Sequence, residues 1–219
     1  MLSRVGRRSV DGRGDPVGYR GCVITRKGQA TKEHIIEAAA TLIGQFGVAG
    51  TSADDVRKTA GVSGSQLMHY FGSKQALVRA VITRQSESEA FVGHPMLGPL
   101  DSIDALRAWA DAAVENLAHG SGHGACTLAM LAGSTSPSDE QTRDELCSAF
   151  VRLQSLLLDG LRAMRDRGDL RPDADLDELS MALLTALQGG TLLGQTMQTT
   201  TPMRASLNAA LRYVESFAA

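Results

Sequence analysis

Residues 51–74 read TSADDVRKTAGVSGSQLMHYFGSK, two short helical patterns separated by a single glycine. Ser52 can cap the first helix, and Asp55, three residues on, sits in the first turn where the helix dipole favours negative charge. That helix runs to about Ala60. Gly61 supplies a left-handed residue for a sharp turn, and Val62 places an apolar side chain between the two helices. Ser63 and Gln66 repeat the capping-box spacing, and the second helix carries Leu67 and Phe71 at i, i+4 on one face. Ser65, Gln66, His69 and Tyr70 lie on the other. These side chains have the length and polarity to reach phosphates and base edges when a helix N-terminus enters a major groove. The stretch is a helix-turn-helix.

Charge is distributed in keeping with that reading. The chain has 219 residues and a net charge of −2, but residues 1–84 hold 13 Lys/Arg against 6 Asp/Glu, whereas residues 85–219 hold 9 against 18. A basic N-terminal part and an acidic remainder point to a polyanion facing the former. Residues 1–27 contribute 7 of those positives in a Gly- and Arg-rich segment without hydrophobic periodicity, expected to be disordered when free. As an arm, Arg4, Arg7, Arg8, Arg13 and Arg20 could follow DNA backbone or enter a minor groove; a dispensable extension accounts for the same composition.

The hydrophobic fraction of 43% is enough for a core in one ordinary domain or two small ones. No run reaches the roughly 18 to 20 apolar residues of a membrane span, and the N-terminus lacks the apolar region of a signal peptide. Cys22, Cys126 and Cys147 are odd in number and far apart, which fits a reducing compartment without a disulfide framework. These features place the protein in the cytoplasm, with no membrane partner.

Every periodic segment is helical. Ile35, Ile36, Ala39, Leu42, Ile43 and Phe46 form one stripe ending at Gly47. After the helix-turn-helix, Ser73 caps a helix with Leu77, Val78, Val81 and Ile82 inward, continuing to about Val92. The sign of the charge changes near Arg84, which sets the boundary between a DNA-binding head (28–84) and a body (85–219). Stripes in the body predict helices over 103–117, 126–132, 139–167, 176–197 and 202–217, and no alternating segment argues for a strand. The fold class is all-α: a three-helix head joined to a helical ligand-binding and dimerisation domain.

Residues 31–82 closely resemble the N-terminal domain of TetR-family (tetracycline-repressor-like) transcriptional regulators, on the arrangement AGVS-x3-L-x2-YF-x-SK over residues 60–74. The late segment RDRGDLRPDADLDELSMALLTALQGGTLL resembles the LmrA/YxaF-like branch. The resemblance implies a homodimer with a small-molecule pocket in each body and a palindromic double-stranded DNA operator. By position it puts Gly64, Ser65, Met68 and His69 near bases or the groove floor, and Gln66, Tyr70 and Lys74 against phosphates; Ser52 and Ser63 complete the expected DNA-facing set. Two positions depart from the family pattern. Gly64 stands where a long polar or basic residue is common, and Met68 where a tyrosine touches backbone.

For the effector the expected lining is Trp109, Ala113, Cys126, Met130, Phe150, Gln154 and Gln188, mostly apolar with a few polar handles. Gln188 has two readings, a ligand contact and an internal helix–helix hydrogen bond. Gly189 and Gly190 cost about 1 kcal/mol each relative to alanine in a helix, so close backbone packing is expected there. A four-helix dimer bundle with Leu187, Gly190, Leu192, Leu207, Leu211 and Val214 in its seam satisfies that expectation, as does packing within one chain. His119, His123 and Cys126 match no strong zinc pattern, so no metal or other cofactor is expected. With no nucleophile elbow, phosphate loop or paired helical metal motif, an enzyme is not expected either. The sequence points to a ligand-responsive DNA-binding repressor released by an apolar or aromatic effector; the rival is a non-inducible, architectural DNA-binding protein.

Overall fold

A computed structural model of the chain describes residues 26–87, 99–119, 125–136 and 138–219. They form helices α1 (Arg26–Gly50), α2 (Ala53–Thr59), α3 (Gly64–Phe71), α4 (Lys74–Glu87), α5 (Ile103–Ala118), α6 (Ala125–Ser134), α7 (Glu140–Asp166), α8 (Leu176–Met197) and α9 (Thr201–Glu215). Among the described residues no strand occurs; one isolated antiparallel bridge joins Leu170 to Ala218.

The head is built from α1 to α3 and the start of α4. Ile35, Ile36, Ala39 and Ile43 are buried with Val56, Leu67, Leu77 and Val78 in one apolar core. The helical path of α1 breaks at Gly47, whose φ of 70° is a left-handed value that glycine adopts without Cβ strain. Two expectations need correction. The helix opens at Arg26, so Arg26 and Lys27 are helical rather than part of an arm; residues 1–25 lie outside the described residues. Phe46, placed on the buried stripe, is 61% exposed, because it comes one residue before the break, where the helix has run past the core. The expected extension of α4 from residue 88 to 92 also falls outside the described residues.

In the body α8 and α9 form a tightly packed antiparallel hairpin, with α7 against α8 and α5 against α9. Gly190 permits the hairpin: a Cβ there would stand 2.6 Å from the Met203 Cα, so any larger residue must push the helices apart. Gly160 does the same for α7, where a Cβ would meet the Leu100 carbonyl oxygen at 2.0 Å. The C-terminus is laced to the α7–α8 connection. Arg171 N–H donates to the Phe217 carbonyl at 2.8 Å, Ala219 N–H donates to the Asp169 carbonyl at 3.1 Å, and the Arg171 guanidinium lies 5.0 Å from the Phe217 ring centroid.

Head and body meet along α4. Its inner face reaches α1 on one side and α6 and α7 on the other, while α1 also touches α6. Thr83 Oγ1 donates to Glu145 Oε2 at 3.4 Å and Arg152 Nη2 donates to Ser86 Oγ at 2.5 Å, so two of the α4–α7 links are polar.

Candidate nucleic-acid interface and effector cleft

Two reciprocal capping boxes shape the head. The Ser52 hydroxyl accepts from Asp55 N–H at 3.1 Å, and Asp55 Oδ2 accepts from the Ser52 N–H at 3.1 Å and from its hydroxyl at 2.5 Å. These bonds, the hydroxyl's first, hold the Asp55 carboxyl below the usual carboxylate range. One turn later Ser63 Oγ accepts from Gln66 N–H at 3.1 Å, and Gln66 Oε1 accepts from Ser63 N–H at 2.8 Å. Between them Gly61 has φ 62°, the left-handed geometry of the turn.

These caps decide what α3 presents. Ser63 Oγ and Gln66 Oε1 are spent on the backbone, which leaves the Gln66 amide N–H2 facing outward; Ser65 Oγ lies 3.0 Å from Ser63 Oγ. Gly64, Ser65, Gln66, His69 and Lys74 are exposed, Met68 is 62% exposed, and Tyr70 is half-buried with its ring 5.3 Å from that of His69 in an edge arrangement. Leu67 is buried and Phe71 half-buried beneath them. The structure thus gathers the predicted DNA-facing residues of α3, with Lys74, on one solvent-facing side of the head. Ser52 differs: its hydroxyl is fully engaged with Asp55 and serves the position of α2.

In the body a cleft of about 690 Å³ opens between the end of α6, the first half of α7 and the middle of α8, within the size range of small-molecule sites. Phe150, Gln154 and Gln188 from the predicted set line it, with Leu146, Cys147, Met181, Leu184 and Thr185 as lining residues that the sequence reading missed. Arg143 also lines it and is exposed. Trp109 and Ala113 are not brought to this cleft: Trp109 is 3% exposed and both pack into the core with α5. Met130 is half-buried on α6 and is not among the lining residues, while the Cys126 side chain and His123 lie outside the described residues. His119 Nδ1–H donates to the Glu115 carbonyl at 2.7 Å, an ordinary end-of-helix bond, and no cluster of three metal-ligating side chains occurs among the described residues. No described helix is long and apolar enough to cross a membrane.

The predicted dimer seam is redistributed. Leu187, Gly190, Leu207, Leu211 and Val214 are buried inside one protomer, because α8 and α9 use those faces on each other and on α5. Of the six only Leu192 is on the surface, 52% exposed, beside Leu193 at 53% and Met197 at 62%.

Comparison with known proteins accounts for both parts. Residues 35–81 match the model for bacterial regulatory proteins of the tetR family, and residues 102–208 match the C-terminal domain of LmrA/YxaF-like transcriptional regulators. The chain belongs to the TetR family. An uncharacterised HTH-type transcriptional regulator of Mycobacterium tuberculosis is 26% identical over 178 residues, 80% of this chain and 89% of that protein. Escherichia coli RutR, an HTH-type transcriptional regulator, is 41% identical over 58 residues, 26% of this chain and 27% of its own length. Among solved structures, reduced E. coli NemR superposes with a TM-score of 0.70 at 24% identity, covering 87% of this chain and 98% of that one. A TetR regulator of Chloroflexus aurantiacus gives 0.72 at 21% identity, covering 89% and 98%. As a TetR-family protein the chain is a DNA-binding transcriptional regulator, and its family is not one of enzymes.

Proposed function

We propose that this TetR-family protein is a homodimeric repressor that leaves a palindromic operator when a small apolar or aromatic effector enters the α6–α8 cleft. The observation that carries this reading is the shared use of α7. Leu146, Cys147 and Phe150 of α7 line the cleft, while Glu145 and Arg152 of the same helix bond Thr83 and Ser86 of α4. The far end of α4 carries Lys74 and follows directly on α3, so a shift of α7 on ligand binding moves the recognition helix through one rigid rod.

The consequence follows from population shift. Two α3 helices bind adjacent major grooves only at a separation of about 34 to 36 Å, and an effector that binds better at another spacing reduces operator occupancy. Dimerisation is assigned to the outer face of the C-terminal part of α8, where Leu192, Leu193 and Met197 are exposed. That cluster gives large apolar side chains against which a partner helix can pack. On DNA, Ser65, Met68 and His69 face the groove, and the Gln66 amide N–H2, Tyr70 and Lys74 face phosphates.

Footprinting on genomic fragments, followed by titration of any compound that co-purifies with the protein, tests the proposal. A single palindromic footprint that weakens with rising compound is expected. A footprint without sequence preference, or an operator affinity unmoved by any bound compound, favours the non-inducible architectural protein instead.

A further inference from the structure

The cleft contains an unpaired polar group whose chemistry restricts what it can hold. Both polar atoms of the Gln188 carboxamide, Nε2 and Oε1, are buried without a hydrogen-bond partner, and one turn along α8 so is Thr191 Oγ1. Its neighbour in the cleft is not in that condition, since Gln154 Nε2 donates to Ser180 Oγ at 3.3 Å. A buried amide left unpaired is costly and uncommon in folded proteins. Among the described lining residues, Gln188 is the one with buried side-chain polar atoms that lack a partner.

The two atoms demand different things. Nε2 offers protons and Oε1 accepts one, side by side in one plane. A carboxylate satisfies Nε2 but sets its charge against Oε1, and an ammonium does the reverse. Arg143 is the one charged residue among the described lining residues, and it is exposed whereas the Gln188 carboxamide atoms are buried, so an ionised group buried against Gln188 would gain no buried countercharge from the lining. The apolar part of the lining includes Leu146, Phe150, Met181 and Leu184.

We infer that Gln188 is the polar anchor of the effector site, and that its ligand class is neutral: an apolar, largely aromatic body bearing one amide or lactam edge that pairs with the carboxamide through two hydrogen bonds. The inference rests on the effector reading of the cleft and goes further by fixing the functional group. It also makes the site selective against the acid and against the bare hydrocarbon of the same shape.

Three fused-ring probes of matched size test it by calorimetry on the full-length protein: phenanthridin-6(5H)-one as lactam, phenanthrene, and phenanthrene-9-carboxylate. The lactam is expected to bind about tenfold tighter than either of the others. In Gln188→Leu and in Gln188→Met the lactam is expected to fall to the level of phenanthrene. Both variants are also expected to raise the Tm of the ligand-free protein, since an unpaired buried amide is replaced by an apolar group. A preference that survives both substitutions, a preference for the carboxylate, no binding by any probe, or a Tm lowered by both variants would each overturn the inference. A lactam that binds with the expected preference and loses it in the variants, yet leaves the operator complex intact, supports the anchor and counts against derepression alone.

Discussion

Head and body are both helical, but they are specified over different distances along the chain. In the head the geometry of α2 and α3 comes from Ser52 with Asp55 and Ser63 with Gln66, each pair three residues apart. In the body the decisive approaches are remote: α7 reaches the Leu100 backbone through Gly160, and α8 reaches α9 through Gly190. A local device can fail alone, whereas a remote one takes the packing of whole helices with it. The head should therefore lose function by small steps and the body by large ones.

Gly160→Ala is the strongest challenge to the body. The new methyl would meet a carbonyl oxygen at 2.0 Å, which backbone must move to relieve, and overpacking of this kind costs about 3 kcal/mol. For a chain of this size that lowers Tm by roughly 10 °C. Gly190→Ala should follow it, while Gly189→Ala, with nothing within 4 Å, should not lower Tm at all. Thermal melts of the three variants sharpen the distinction between the two faces of α8; an equal loss in all three would erase it.

Next in size is the surface of the same helix. Leu192→Glu with Leu193→Glu places two charges on the proposed two-fold face without touching the protomer core. Sedimentation should then give a monomer at unchanged helix content, and operator affinity should drop on the order of 100-fold as the second half-site is lost. A dimer that persists moves the interface elsewhere, and the exposed face of α9 is then the place to look.

Those two faces also show where the sequence stopped being readable. The apolar run from Leu183 to Leu193 marks α8 as buried on several sides, but periodicity reports burial without naming the partner. Leu187, Leu207, Leu211 and Val214 had the spacing of a seam between copies and are instead the seam between α8, α9 and α5. Trp109 has the aromatic character of a pocket residue but fills the core. What could have been read is the stripe Met181, Thr185, Gly189, which runs at helical spacing on the side away from those leucines and lines the cleft. In the head, by contrast, the capping spacing, Gly61 and the exposed side of α3 follow from residues within one turn of each other, so the sequence carried them almost whole. Phe46 failed there for the same reason as the body residues: its neighbours depend on where α1 ends in space.

Ser63→Ala tests the local character of the head. It removes one side of a capping box and should cost about 1 kcal/mol, with Tm of the body unchanged. Since the first turn of α3 would lose the hydroxyl that accepts from the Gln66 N–H, the start of the recognition helix loosens and operator affinity should fall severalfold more than helix content does. Gel shift and circular dichroism on the same preparation separate the two, and a parallel loss in Tm would show that the head is not independent in this sense.

The smallest expected effect comes from adding to the head. Gly64 opens α3 at a position where a basic residue would stand over DNA, and a Cβ there would touch only the Arg57 Cδ at 3.9 Å, ordinary contact distance. Its φ is not in the left-handed region, so a side chain brings no backbone strain. Gly64→Lys should therefore fold as the parent does and add one cation near the N-terminus of α3. Arg57 and Lys58 nearby are both paired with Asp54, which leaves the parent surface poor in free positive charge at this point. If α3 enters the groove by its N-terminus, one new phosphate contact should steepen the dependence of log affinity on log salt by about 1 and raise affinity severalfold at low salt. Gly64→Ala supplies the control, gaining helix propensity without charge. A slope equal in the two variants would mean that this end of α3 does not meet phosphate, and the roles assigned to the exposed side of the head would have to be moved toward Tyr70 and Lys74.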